Sequence, residues 1–351
     1  MKFKEWIAKQ LYKRLFTYMQ LDTQAIKPRM EKAVLNFYLD VDSPTREEEI
    51  YEILNYQTRL YAAGTVETLT ICGANLGFKK AIKSPYVLEV ATTIRLAFGL
   101  GDMMDTDNDE YDPRVLAFKK LDEKTLKEKL HKHEVYKNIV NNLDCLVNER
   151  FGKLNPSSFQ IYLSEKEKVM GGQQKDIEDH LCYLQGDFER LREKYPTYQA
   201  CMELLVEKLG LMGGCAARIA YLESGGKNKV LEELESEFFT VGGTRLQLWV
   251  NDVQKIENDI ENLETNPIIT TAICKFKDAK EINKELVRRL VKEDPKILDK
   301  MDEPYKQRME KALKEIKRLN FDPRTHQGLA LMIETQAKKE KVNFFKKFGL
   351  I

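Results

Sequence analysis

Asp102, Asp105, Asp107, Asp109, Glu110 and Asp112 crowd six carboxylates into eleven residues, and no basic residue interrupts them before Arg114. They follow an apolar segment that carries no charge after Arg95. The C-terminal end of a helix is partially negative, so each carboxylate there is disfavoured by roughly 0.3–1 kcal/mol, and mutual repulsion adds to that. A bound cation is the direct way to offset the cost. If the helix continues, Asp102, Asp105 and Asp109 fall at i, i+3 and i+7 and share a face. Oxygen donors without cysteine or histidine favour magnesium over zinc. An EF-hand is disfavoured: counted from Asp105, Glu110 stands where glycine is required and Leu116 where a bidentate glutamate belongs. A solvated acidic loop is the plain alternative.

A second group lies between Gly243 and Ile268. Read as a helix, this stretch sets Leu246, Val250, Val253, Ile256, Ile260 and Leu263 in one apolar stripe. Asn251, Lys255 and Asp259 fall at i, i+4 and i+8, a polar column roughly 12 Å long beside that stripe. Such a helix suits the wall of an apolar cavity, with oxygen ligands at its mouth.

The elements that must position these groups are helices. Apolar residues recur at three- and four-residue steps almost throughout, and sustained strand alternation is nearly absent. Ser43-Pro44-Thr45 with Glu48 reads as a capping box, and Ser84-Pro85 opens a helix that runs to about Leu100. Leu121 to Asn148 is a long helix with a charged outer face, and Phe151 to Ser158 is the clearest loop. Gly171-Gly172, Tyr195-Pro196, Ser224-Gly226 and Gly242-Gly243 read as breaks. Further helices are expected around 279–291, 304–319 and 327–345. No repeat is present, and the loops mark no firm boundary. The pattern predicts a single all-α domain over residues 1–351, a large helical bundle around an apolar cavity, with residues 1–45 a candidate N-terminal extension.

Composition narrows the class. With 42% hydrophobic and 32% charged residues the chain can fill a large core beneath a solvated surface. The 57 basic residues nearly cancel the 56 acidic ones, so no basic face points to nucleic acid. No run approaches the ~18 apolar residues of a membrane helix. The first twenty residues read as an amphipathic helix packed on the body, with Trp6, Ile7, Leu11, Leu15 and Tyr18 inward. Six scattered cysteines without a CxxC pair read as buried thiols of a reducing, cytoplasmic setting. His131 and His133 read as solvated surface.

Taken together, the acidic patch on one helix and the Asn/Asp column on another resemble the class I terpenoid synthases. In that all-α family, a motif of the form DDxxD and a second of the form NDxxSxxKE hold magnesium ions that grip the diphosphate of an allylic isoprenoid. NDVQKIEND, from Asn251 to Asp259, matches the second motif at its Asn-Asp opening and its closing carboxylate, and LETNPII is similar to the turn that follows it. The resemblance implies Asp102, Asp105, Asn251 and Asp259 as metal ligands and Mg2+ as cofactor. Lys208, near the glycine-bearing kink of KLGLMGGCAARIAYLE, stands in for the diphosphate-sensing arginine, and Lys255 would contact the diphosphate. Arg324 is the nearest match to a C-terminal arginine. Two positions depart from the family: Gly101 replaces the first aspartate, and Lys255 replaces an oxygen ligand. Phe98 and Trp249 are candidate aromatic faces for a carbocation. The implied activity is that of a carbon–oxygen lyase, a terpene synthase that ionises an isoprenoid diphosphate and cyclises the cation. The alternatives are a prenyltransferase using the same diphosphate chemistry and a non-catalytic helical binding or scaffold protein. A homodimer is the candidate assembly, with neither nucleic acid nor an integral membrane segment as partner.

Overall fold

The computed structural model describes residues 13–55 and 59–350, and among them there are helices and no strands. The helices of eight or more residues that an element range bounds are α1 (Lys27–Phe37), α2 (Arg46–Asn55), α3 (Arg59–Leu76), α4 (Pro85–Thr106), α5 (Glu123–Phe151), α6 (Pro156–Gln185), α7 (Tyr198–Leu205), α8 (Leu211–Glu223), α9 (Lys229–Leu246), α10 (Val253–Asn262), α11 (Pro267–Lys275), α12 (Lys284–Glu293), α13 (Ile297–Arg318) and α14 (Arg324–Lys347). None is long and apolar enough to cross a membrane.

Local sequence explains most of the starts. Ser84 Oγ accepts from the Val87 amide with Pro85 at the first turn, while Asp122, Asn155, Thr197, Asn228, Asn266 and Asn283 cap α5, α6, α7, α9, α11 and α12 in the same way. The box before α2 closes one residue later than the spacing predicts. Thr45 Oγ1 donates to Glu49 Oε1 at 2.8 Å, and Tyr38 and Asn142 donate to Oε2, whereas Glu48 faces outward to His131. Ser43 also donates to Oε1, and these four donors, of which Tyr38 and Thr45 are buried, outweigh the local pairing.

Two predicted breaks are absent. Gly171-Gly172 lies inside α6 and Gly242-Gly243 inside α9. At Gly172 the missing side chain serves packing, whereas Gly243 stands at ordinary contact distance from its neighbour. A Cβ on Gly172 would stand 3.0 Å from the Lys208 amide nitrogen, and one on Gly243 would stand 3.7 Å from the Gly210 Cα. The helices cross there almost backbone to backbone. Cysteine burial also departs from expectation, since Cys145 is exposed and Cys274 only half-buried. Trp6, Ile7 and Leu11 lie outside the described residues, while Tyr18 is buried and Leu15 packs against the core.

Among the described residues four π-turns interrupt the helical lattice: Asp22–Ile26, Asp107–Tyr111, Val206–Gly210 and Gln247–Asp252. The last three extend α4, join α7 to α8 and join α9 to α10. A π-turn carries one residue more than the α-helix allows, which rotates its side chains locally and often marks a functional site.

Polar ties lock the bundle from within. Arg245 forks onto Asp302 at 2.6 and 2.8 Å and reaches Glu334 at 2.6 Å, joining α9, α13 and α14. His326 of α14 meets Glu235 of α9 at 2.6 Å, both fully buried. Replacing Arg245 by methionine leaves the Asp302 carboxylate buried without its partner, so a loss of about 3–5 kcal/mol is expected. Urea unfolding of Arg245→Met checks this, and a change below about 1 kcal/mol would remove the triad from the account.

Candidate functional site

Three helices reach one point with charge and recede from it with apolar side chains. α4 does not stop near Leu100 but continues through Asp102 and Asp105 into the π-turn that holds Asp109. α6 brings Asp176, and the π-turn before α8 brings Lys208. Lys208 is 8% exposed, and its Nζ stands 3.0 Å from Asp105 Oδ1 and bonds Asp176 Oδ2. Burial by itself would make the ammonium easier to deprotonate, but Asp105, Asp176 and Asp109 outweigh it and hold Lys208 well above the usual lysine range. Thr265 Oγ1 donates to the other oxygen of Asp176 at 2.6 Å.

Beside that point an apolar pocket lies between α4, α5, α6 and α8. Met104, Gly101, Ala97 and Ile94 line it on α4, and Met170, Val169 and Tyr162 line it on α6. Met212, Cys215 and Ile219 complete it on α8, and Phe151 stacks on Tyr162 at 4.1 Å. Asp105 to Ile94 spans eleven residues, so the lining extends roughly 15 Å from the charged cluster. Glu165 and Lys166 are the charged residues of its lining, and the Lys208 cluster stands beside it; an apolar pocket next to a few convergent polar groups is the usual form of a small-ligand site.

The second candidate group lies on α9, its π-turn and α10, and here the predicted column changes membership. Asp252 and Asp259 are buried, while Asn251 is half-buried and donates to Gln247, and Lys255 is exposed. The π-turn at Gln247–Asp252 causes this by slipping the helix phase, so the buried face passes through Leu248, Trp249, Asp252, Val253 and Ile256. Asn266 then organises the turn: its Nδ2 donates to the Asp252 carbonyl at 2.9 Å and to Asp259 Oδ2 at 2.7 Å. A second, polar pocket opens between Asp176, Lys208, Asp252 and Asn266.

The cluster is short of positive charge. Burial and the neighbouring Asp105 push Asp109 well above the usual carboxylate range, and burial together with Asp259 does the same to Asp252. Asp259 is pushed up to about 7 by burial, against the Asn266 hydrogen bond that favours its charged form. Lys255 lies close enough to favour ionisation of Asp259 and Glu264. Lys119 Nζ donates to the Asp109 carbonyl at 3.4 Å. His180, one turn beyond Asp176, is buried and held down to about 4 by that burial, so a neutral imidazole stands 3.8 Å from Asp109.

Of the residues singled out from the sequence, Asp105 and Lys208 meet directly. Arg324 does not join them. It is exposed and bound to Asp322 at 2.8 Å, and the adjoining His326 pairs with Glu235, some seventeen residues (roughly 25 Å) up the α9–α10 column from Asp252. Phe98 lines the cavity, whereas Trp249 is buried in a different apolar cluster. Asp176 went unread because its GGQQKDIED setting looks like a break followed by surface polarity. Its signal was Gly172, which lets α6 approach the Lys208 backbone. Among the described residues no three aspartate, glutamate, histidine or cysteine side chains converge as a ready-made metal site.

No protein-family model matches the chain, and no curated protein matches it in sequence. Solved structures do match. A geranylgeranyl pyrophosphate synthetase from the archaeon Geoglobus acetivorans superposes with a TM-score of 0.62 at 14% identity, over 92% of this chain and 98% of that one. A polyprenyl synthase from Caulobacter crescentus, complexed with calcium and isoprenyl diphosphate, gives 0.59 at 10% identity over 92% and 97%. A geranyltranstransferase from Thermotoga maritima gives 0.53 at 13% identity over 88% and 98%. These likenesses show that the chain has the all-α isoprenoid-synthase fold. They also overturn the expected lyase class, because the proteins that share the fold are named as prenyl-transferring synthases.

Glu67, on α3 behind the cavity, supplies a test of the electrostatics. Its Oε2 is shut off from water without a hydrogen-bond partner, and burial pushes its carboxyl up to about 8. The folded protein therefore keeps a proton that the unfolded chain releases near the ordinary glutamate value, so stability falls as pH rises from about 4.5 to about 8. Glu67→Gln removes that penalty. Its melting temperature should rise relative to the native protein across this window, and a gap that does not change with pH would refute the assignment.

Proposed function

We propose that the chain binds an allylic isoprenoid diphosphate, head at the Lys208 cluster and hydrocarbon tail in the apolar cavity, and transfers the prenyl group to an acceptor. One observation carries the reading. α4 and α6, which supply Asp105 and Asp176, and α8, which continues from the Lys208 π-turn, also line the apolar cavity, whose lining begins at Met104, Met170 and Met212, one, six and four residues along the chain from those charges. A ligand with an anionic head and a greasy tail matches both parts. The Caulobacter protein of the same fold was solved with isoprenyl diphosphate.

Each side chain has a physical role in that scheme. The Lys208 ammonium offers a point charge to the diphosphate and to the negative charge that grows on it as the carbon–oxygen bond breaks. The cavity excludes water from the allylic carbon, and Phe98 turns an aromatic ring toward the hydrocarbon. Lys255 and Lys119 add positive charge at the rim.

The donor chemistry fits a hard divalent cation. The acids are oxygen donors, Asp252 Oδ2 is buried with no hydrogen-bond partner, and Asp109, Asp252 and Asp259 are all held toward their protonated forms. Asp102 and Asp105 from α4 and Asp252 beside the second pocket would offer oxygens to magnesium, drawing together around an ion that no three of them already enclose, with Asp259 positioned through Asn266. When bound, the ion supplies the charge that makes a diphosphate a good leaving group.

Incubation with geranyl, farnesyl and geranylgeranyl diphosphates, magnesium and a five-carbon homoallylic diphosphate acceptor should release pyrophosphate and lengthen the prenyl chain. Asp105→Ala and Asp252→Ala should each lower the rate by about 100-fold or more, the scale of losing one electrostatic group at a reacting centre. Asn251→Ala, which loses only a contact to Gln247, should cost less than Asp252→Ala. Neither product nor binding with any of the three substrates would defeat the reading.

A further inference from the structure

Lys208 occupies an unusual position for a lysine that contacts substrate. Its backbone sits in a π-turn pressed against Gly172, where a Cβ would come within 3.0 Å, so the residue cannot retreat. Its ammonium is buried between two carboxylates from two other helices, 3.0 Å from Asp105 and bonded to Asp176. Both oxygens of Asp176 are thereby engaged, one by Lys208 and one by Thr265. Asp105 is one of the groups that the reading above gives to a divalent cation. An ammonium in its grip repels such an ion and takes up its ligand.

We propose, building on that reading, that Lys208 is a resident counter-ion that keeps Asp105 from binding a divalent cation until a diphosphate draws the ammonium away. The Lys208 side chain has four methylenes and rotates about a fixed backbone, so Nζ can leave Asp105 for a phosphoryl oxygen while staying near Asp176. The released carboxylate then becomes a ligand. Diphosphate and cation therefore enter together, and neither binds well alone. By linkage, the factor by which one tightens the other is the same in both directions. The consequence for the chain is order: an empty site carries a lysine bridge, and the charged clamp forms only around an anionic head.

The test measures Mn2+ binding by electron paramagnetic resonance, with and without inorganic pyrophosphate, in the native protein, Lys208→Gln and Lys208→Met, each checked for fold by circular dichroism. The native protein should bind Mn2+ weakly alone and more tightly with pyrophosphate. Both variants should bind Mn2+ alone about tenfold or more tighter than the native protein, the ordinary scale of site–site coupling. Equal Mn2+ affinity in native and variant proteins, with pyrophosphate still tightening the native one, overturns the counter-ion role and leaves the diphosphate site standing. If the native protein binds neither Mn2+ nor pyrophosphate, the diphosphate-site reading fails and takes the counter-ion role with it. Should both variants fail to fold, a crystal structure of the native protein with Mn2+ and pyrophosphate decides. Nζ on a phosphoryl oxygen and away from Asp105 supports the exchange, and Nζ still bridging Asp105 and Asp176 overturns it.

Discussion

One buried ammonium organises the functional half of this bundle. Taking the Lys208 charge out of water is costly, and only opposed carboxylates at hydrogen-bond range can compensate. Asp105 and Asp176 come from different helices, so α4, α6 and the α7–α8 column must meet at one height. That meeting requires α6 to pass close to the Lys208 backbone, which Gly172 permits. Apolar residues of α4, α6 and α8, with Phe151 of α5, line the cavity beside that meeting. The charged cluster and the greasy pocket are thus neighbours built on the same helices.

The acids around the ammonium are poised against their own repulsion. Asp109, Asp252 and Asp259 gain protons more readily than free carboxyls because burial removes water and the neighbours are negative. Asn266 partly compensates by donating to Asp259 while its carbonyl oxygen accepts from the Ile268 amide as the cap of α11. The same asparagine therefore ends one structural problem, a helix start, and eases another, a buried charge. Thr265 beside it satisfies Asp176. The short turn after α10 contributes as much order to the cluster as the long helices do.

Helix content was legible because the apolar steps of three and four are strong over most of the chain, and Ser84-Pro85 stands where one such pattern begins. The acidic run was legible as a liability requiring a partner. Three things were not. Gly171-Gly172 and Gly242-Gly243 looked like breaks, since a single sequence cannot separate a glycine that ends a helix from one that lets two helices touch. Asp176 was hidden by that same misreading. Asp252 lost its place to Asn251 because a straight 3.6-residue lattice was carried through a segment that departs from it. Arg324 failed for another reason: its candidacy rested on resemblance alone, and nothing in the local pattern could say where the start of α14 would pack.

The π-turns have a consequence for how such a site can change. Asp109, Lys208 and Asp252 each sit where a helix holds one residue in excess, and the excess is absorbed locally. At Lys208 and Asp252 the helix keeps its core-facing stripe ahead of the turn and behind it, while the Asp109 turn closes its helix before Asp112. Gain or loss of a single residue at these three points therefore re-aims one polar side chain while the bundle stays in register. Elsewhere in a helix the same event would turn everything downstream by about 100° and scramble the core. The chain has, in effect, three independent adjusters set into an otherwise stiff frame. Sequence distance between its polar groups is accordingly a loose guide to their distance in space.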